Sequence, residues 1–337
     1  MGKVYLPLCY FPTSIVLIDD DRSLLKTLHF SLKRYFNCHT FSDPYKALEF
    51  LQQPENNIEH LNDSCFIESE DLAPDTLATQ IDLRSVHKII YDENRFKKTI
   101  LVISDYKMPR MDGAEFSQKL KANNDIKVLL LTGEADYDQA VNLFNKGIID
   151  KFIQKSSDEL LETILENINT VLKQSFIEFT KQALSNINPN SEEMPQCLNE
   201  IKFAEYFSEL CQEHSIVEYY ITDSRGGFLL LDKSGNSSWL TVCTPEDYVM
   251  FSDMVATDET MESEQLIKSL NEYSRVPYFF SDEDYQTEPS NWGPFMHPVT
   301  KVIEGDMNTY YISHIKNTDA YQLSTQDILS YDSALKG

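Results

Sequence analysis

The chain has 337 residues, 42% hydrophobic and 25% charged, which is enough for two domains with buried cores. Its 54 acidic side chains outweigh 29 basic ones, and the excess is late: residues 1–150 carry 17 Lys and Arg against 23 Asp and Glu, residues 151–337 carry 12 against 31. Affinity for phosphate backbones and anionic lipid surfaces comes from Lys and Arg, so the second half is a poor candidate for binding either.

No apolar run reaches the roughly 18 residues that cross a bilayer. Pro7 and Pro12 interrupt the N-terminal segment, and no small-residue cleavage site follows. Cys9, Cys38, Cys65, Cys197, Cys211 and Cys243 form no CxxC pair and have no His at metal-ligand spacing. The expectation is a reduced, cytoplasmic protein whose thiols are small buried hydrophobes.

Ser14–Ile18 reads as a strand that ends in Asp19, Asp20 and Asp21, followed by Leu24, Leu25, Leu28, Leu32 and Phe36 at helical spacing. A second strand, Cys38–Phe41, leads through Ser42-Asp43-Pro44 into a helix with Ala47, Leu48 and Leu51. Thr99–Ser104 is a continuous apolar run, as expected for a strand buried on both faces, and it ends at Asp105. A helix over Ala114–Lys121, a strand over Lys127–Thr132, a helix over Tyr137–Asn145 and a strand over Phe152–Gln154 that stops before Lys155 complete the alternation. The pattern predicts an α/β fold, a five-stranded doubly wound parallel sheet.

In such a sheet, ligands collect outside the carboxyl ends of the strands. That edge receives Asp19, Asp20, Asp105, Thr132 and Lys155. Three carboxylates in one pocket repel each other unless a divalent cation joins them, and an oxygen-only donor set suits Mg²⁺. Asp105 is then placed as a nucleophile toward a phosphoryl donor, with the Thr132 hydroxyl and Lys155 ammonium holding the phosphoryl oxygens.

In this order and spacing, VLIDDD, SDYKMPRMDG, LLLTGE and FIQKS resemble the receiver domain of two-component response regulators over about residues 12–172. The resemblance implies that Asp105 is the phosphoacceptor and that a sensor histidine kinase supplies the phosphoryl group. It also implies that Asp20 and Asp105 ligate Mg²⁺ with the Lys107 backbone carbonyl while Asp19 acts through water, and that Thr132 and Phe152 shift together on activation. Two positions raise expectations of their own. Ser156 stands where the family usually has proline after the site lysine, which leaves the placement of Lys155 open. Lys107 and Glu134 sit where the family varies its dephosphorylation rate, and an ion pair between them would cover the pocket mouth.

Residues 54–97 form an insertion far longer than the usual two to six residues, with an amphipathic stretch at Leu83, Val86 and Ile90. The expected layout is a receiver over residues 1–156, a long helix within 157–187, and an α+β output domain with an antiparallel sheet over 188–337. In that domain a helix over Cys197–Glu213 precedes strands at Glu218–Thr222, Phe228–Asp232 and Ser238–Cys243, which are separated by Gly-bearing turns. Helices follow over Pro245–Ala256 and Glu262–Tyr273, then strands at Tyr278–Ser281, Thr300–Ile303 and Thr309–Ile315.

No helix-turn-helix with a basic recognition helix is visible, which weighs against DNA as a partner. His214, His297 and His314 read as isolated, and Tyr278, Phe279, Phe280, Trp292 and Phe295 read as core. The layout is also similar to response regulators of the α-hydroxyketone quorum-sensing circuits (Lqs type), whose kinases are membrane sensors of a small ketone. Two output modes stay open: a phosphorylation-dependent homodimer or domain rearrangement that signals to a downstream protein, and a receiver-gated domain that binds a small molecule or nucleotide, or carries an enzymatic activity. Beyond self-phosphorylation from acyl-phosphate donors and self-dephosphorylation, no catalytic motif is evident.

Overall fold

The computed structural model describes residues 4–56, 66–68, 79–81, 83–122, 125–157, 159–185, 195–257, 260–279, 282–316 and 328–335. Contacts divide the chain into two units. One comprises residues 11–65, 88–178 and 329–337; the other comprises 1–10, 66–87 and 179–328.

The first unit opens on β1 (Ser14–Ile18), buried along its whole length. Asp21 then caps α1 (Arg22–Leu32) by accepting the amides of Ser23 and Leu24 at 2.8 and 3.2 Å, and Leu25, Leu28 and Leu32 turn inward. The third acid of the DDD run is thus consumed by its helix. After β2 (Asn37–Phe41), Asp43 caps α2 (Pro44–Leu51), where Pro44 costs nothing because the first-turn N–H has no helical partner. β3 (Thr99–Asp105) is buried at every position and leads to α3 (Gly113–Lys121), capped by Asp112. β4 (Lys127–Thr132), α4 (Tyr137–Asn145) and β5 (Lys151–Gln154) follow.

The strands pair in parallel in the order β2-β1-β3-β4-β5. This is the doubly wound parallel sheet expected from the alternation, and its carboxyl ends share one edge. Val16, Val102, Val128 and Leu130 from the strands and Ala47, Leu51, Phe116 and Leu120 from the helices form its core on one face. The last helix, α5 (Leu160–Leu184), runs 25 residues, about 37 Å at 1.5 Å per residue, and from Phe179 onward it groups with the second unit.

In the second unit, α6 (Ile201–Glu213) is preceded by a 3₁₀ turn at Gln196–Asn199, so the single helix expected over 197–213 is broken at Glu200. A six-stranded antiparallel sheet follows the order Cys9–Tyr10, β6 (Ile216–Ile221), β7 (Phe228–Asp232), β8 (Ser237–Cys243), then Thr309–Lys316 and Lys301–Glu304. α7 (Pro245–Val255) starts with a capping box between Thr244 and Asp247, and α8 (Met261–Asn271) is capped by Thr260. The strand expected over 278–281 lies earlier, at Arg275–Pro277, where it pairs with Met296–Pro298. Tyr278 and Trp292 are core residues at 4% and 1% exposure, and Phe279 packs on Trp292 at 4.8 Å. Phe280, Ser281, most of the polar linker and Cys65 lie outside the described residues.

The division departs from the expected boundaries at both ends. Residues 1–10 group with the second unit because Cys9 and Tyr10 pair with Tyr220 and Tyr219 at its sheet edge. Residues 329–337 group with the first: Arg95 donates to the Leu329 carbonyl at 2.6 Å, and the buried Tyr331 donates to the Tyr35 carbonyl at 2.6 Å. Within the insertion, Leu83–Tyr91 is a 3₁₀ helix that buries Val86 and Ile90.

Candidate functional site

The parallel register delivers four strand ends to one pocket. Asp19 and Asp20 follow β1, Asp105 ends β3, Thr132 ends β4 and Lys155 follows β5, with the Lys155 amide donating to the Thr132 carbonyl at 2.9 Å. Asp19 is 1% and Asp105 7% exposed, while Asp20 faces solvent. Carboxylate oxygens of the three lie within 4.8 Å of one another. Among the described residues this is the one group of three or more His, Cys, Asp or Glu whose ligand atoms come so close.

The Lys155 ammonium holds the cluster together, 2.7 Å from Asp19 Oδ2 and 2.9 Å from Asp105 Oδ1. Burial works to lower the pKa of this ammonium, but hydrogen bonds to the two carboxylates outweigh it and leave Lys155 above its ordinary value. Burial also raises the Asp105 carboxyl, against the opposing pull of Lys155 and with a further push from Asp19. No cis peptide bond occurs among the described residues. Lys155 therefore reaches both carboxylates through an ordinary trans link to Ser156.

The backbone under Asp105 requires glycine at one point. A Cβ on Gly113 would stand 2.4 Å from the Asp105 carbonyl oxygen and 2.9 Å from Leu130 Cδ2. Thr132 is fully buried, and its hydroxyl lies 3.5 Å from the Ile153 carbonyl. Phe152 is half-buried and packs edge-on between Tyr137 and Phe144, with centroids at 5.4 and 6.1 Å; both partners are themselves exposed, at 42% and 46%.

Lys107 pairs with Asp136, at 3.0 Å. The expected partner was Glu134, whose side chain lies outside the described residues. Residues 134–136 wind as a 3₁₀ turn, and it is the last acid of that turn that meets the lysine. Tyr106 donates its hydroxyl to Gln139 Oε1, and Arg110 pairs with Asp43 at 3.0 Å. Sequence reading missed Asp136 and Gln139; the available signal was an acid in the N-cap position before α4.

Residues 78–167 match the family model of the response regulator receiver domain. The chain carries a receiver domain. The match begins within the insertion, so it takes in Asp105, Thr132, Phe152 and Lys155 but not Asp19 and Asp20, which the sheet brings back to the same edge. The response regulator LqsR of Legionella pneumophila has a similar structure, with 27% identity over 100% of this chain and 97% of its own and a TM-score of 0.82. That likeness extends past the receiver domain through the second unit. Hybrid signal transduction histidine kinase D of Dictyostelium discoideum is 32% identical over 99 residues, 28% of this chain. The chain spans about 6% of that relative's length. An adenylate cyclase structure from Rhodopirellula baltica aligns at 23% identity over 52% of this chain and 99% of its own with a TM-score of 0.36, too slight a likeness to bear on activity. No helix among the described residues is long and apolar enough to cross a membrane.

Proposed function

We propose that this chain is a response regulator that takes a phosphoryl group onto Asp105 from a sensor histidine kinase and signals through its second unit, in a quorum-sensing circuit of the Lqs type. The observation that carries the reading is the triad of Asp19, Asp20 and Asp105 within 4.8 Å, compensated by the single ammonium of Lys155. An oxygen-only set of three carboxylates fits a hard divalent cation, so Asp19, Asp20 and Asp105, with the Lys107 carbonyl, would hold Mg²⁺. When bound, Mg²⁺ supplies charge neutralisation for the transferred phosphoryl group. A carboxylate oxygen of Asp105 forms the new bond to phosphorus as the donor's bond to phosphorus breaks, and the leaving group departs with the electron pair. Lys155 lies 2.9 Å from Asp105 and is placed to exchange its carboxylate contact for a phosphoryl oxygen. Thr132 and Phe152 would then move as a pair, Thr132 toward the phosphoryl group and Phe152 away from its exposed neighbours Tyr137 and Phe144. The likeness to LqsR over the whole chain supports the quorum-sensing assignment drawn from the layout, with a phosphorylation-dependent homodimer or domain rearrangement as the output and a protein as the downstream partner. Intact mass spectrometry with Mg²⁺ and acetyl phosphate, beside Asp105→Asn, tests it. One phosphoryl group on the wild type and none on the variant is expected; no modification even with a cognate kinase would sink phosphotransfer.

A second reading of the output, a small-molecule site, is favoured by one feature. A cavity of about 240 Å³ is lined by Tyr248, Ser252, Asp253, Asn271 and Tyr273, all from α7, the end of α8 and the turn after it. Tyr273 holds φ at +51°, a strained value for a tyrosine, and stacks on Tyr311 at 4.8 Å. Tyr273→Gly relieves the backbone and removes the ring, so a thermal-shift screen of small ligands on the full chain should lose its hits in this variant without loss of baseline stability. Hits that survive the substitution would exclude the cavity.

A further inference from the structure

Four helices of the first unit begin at an aspartate, and one of the four aspartates does not cap. Asp21, Asp43 and Asp112 accept first-turn amides at 2.8–3.2 Å. Asp136, the N-cap of α4, makes no such bond. Its carboxylate, on a side chain only 9% exposed, instead holds the ammonium of Lys107 at 3.0 Å. The neighbouring Tyr106 donates to Gln139, the third residue of the same helix. Both residues that follow Asp105 are thus tied to the first turn of α4, and one tie uses the group that would otherwise cap it.

We propose that the Lys107–Asp136 pair is a latch that reports phosphorylation of Asp105 to α4, an inference that rests on Asp105 being the phosphoacceptor. Lys107 is 68% exposed and lies two residues past Asp105, so it is a cation that the carboxylate cluster has not consumed. Transfer of a phosphoryl group turns one carboxylate charge into nearly two on the acyl phosphate, and the added charge competes for Lys107. Once released, Asp136, whose ψ of 3° ends the 3₁₀ turn of residues 134–136, swings to the extended backbone of its three counterparts and caps α4 at the amides of Asp138 and Gln139, the N2 and N3 positions. With its Lys107 end 68% exposed the ion pair contributes modestly and a cap contributes no less, so neither arrangement is locked and a local change in charge suffices to select one. Lys107 and Asp136 act here as positioning residues rather than catalytic ones.

Amide hydrogen exchange on the full chain, read by NMR, separates the states. Asp138 and Gln139 should exchange about fivefold more slowly in the wild type phosphorylated with acetyl phosphate and Mg²⁺, and equally slowly in Lys107→Met with no donor. Asp136→Asn, which can cap but cannot pair, should show the slow exchange at all times. Asp136→Ala should accept a phosphoryl group by intact mass yet show no slowing. Unchanged exchange in both Lys107→Met and the phosphorylated wild type would overturn the latch while leaving phosphotransfer intact. Should the wild type take up no phosphoryl group, the phosphoacceptor reading fails, and Lys107→Met alone decides whether the cap and the ion pair compete.

Discussion

The two units treat their buried carboxylates in opposite ways. In the second unit two acids, Glu200 and Asp223, are spent on backbone. Glu200, 2% exposed, accepts the amides of Asp306 and Met307 at 3.0 and 2.6 Å, and Asp223 Oδ1 accepts those of Arg225, Gly226 and Gly227 at 2.9–3.1 Å. Such donors are fixed by the chain and cannot be exchanged for a ligand. In the receiver domain, Asp19 and Asp105 are nearly as buried; Asp19 Oδ1 accepts the Asp21 amide, yet Asp19 Oδ2 and Asp105 Oδ1 both lean on the end of one flexible side chain, Lys155. Charge held by a movable ammonium can be handed to an incoming cation or phosphoryl group. A buried carboxylate is therefore a functional signal only where its partner can leave.

The comparison can be broken at its extremes. Lys155→Met should have the largest effect: it strands two buried carboxylates, costs roughly 2–3 kcal/mol in thermal or denaturant unfolding, and should make stability strongly dependent on added Mg²⁺. A variant as stable as the wild type without Mg²⁺ would contradict the compensating role given to Lys155. Glu200→Ala should cost about 2 kcal/mol by leaving two turn amides unpaired, with phosphorylation by acetyl phosphate unchanged and no response of stability to Mg²⁺. Gly113→Ala drives a methyl into the Asp105 carbonyl and should cost roughly 1–3 kcal/mol while slowing phosphorylation.

The smallest effect concerns pH, and its sign differs between the units. His314, next to the ring of His214 at 4.7 Å, is lowered to about 4 by burial, then by His214 and Lys316. Its folded pKa lies below the usual 6.5, so the stability it contributes is present above pH 6.5 and is lost as pH falls toward 4. Asp105 is raised, so its contribution runs the other way: it is present in acid and lost as pH rises through the folded value. Both tryptophans, Trp239 and Trp292, lie in the second unit, so their fluorescence follows that unit alone. His314→Gln should flatten the acid limb of that signal, and an unchanged limb would remove His314 as its cause.

Much of the receiver domain was legible in the sequence because its central strands are short apolar runs and its first three helices open on aspartate caps. Ser14–Ile18 and Lys127–Thr132 there, and Phe228–Asp232 in the second unit, lie within the bounds the pattern assigned. The pattern failed where the elements were too short to carry a period. A two-residue strand at Cys9–Tyr10 and a four-residue helix at Tyr331–Ala334 have no periodicity to read, yet they decide which unit each end of the chain joins. The meeting of His214 and His314, which read as isolated along the chain, was hidden for a related reason: Ser215 reverses the chain at φ +55° after α6, and only the sheet brings residue 314 alongside.

By itself the sequence determined the alternation of strand and helix, the polar residue that ends each strand and hence the membership of the Asp19, Asp20, Asp105, Thr132 and Lys155 edge, because burial and capping are local and write themselves into adjacent residues. Tertiary structure alone decided that Lys155 spans Asp19 and Asp105 and that Lys107 takes Asp136 from the helix it would cap. Those are choices between competing partners for one charge, and a choice of that kind is settled by distance in space, which spacing along the chain does not encode.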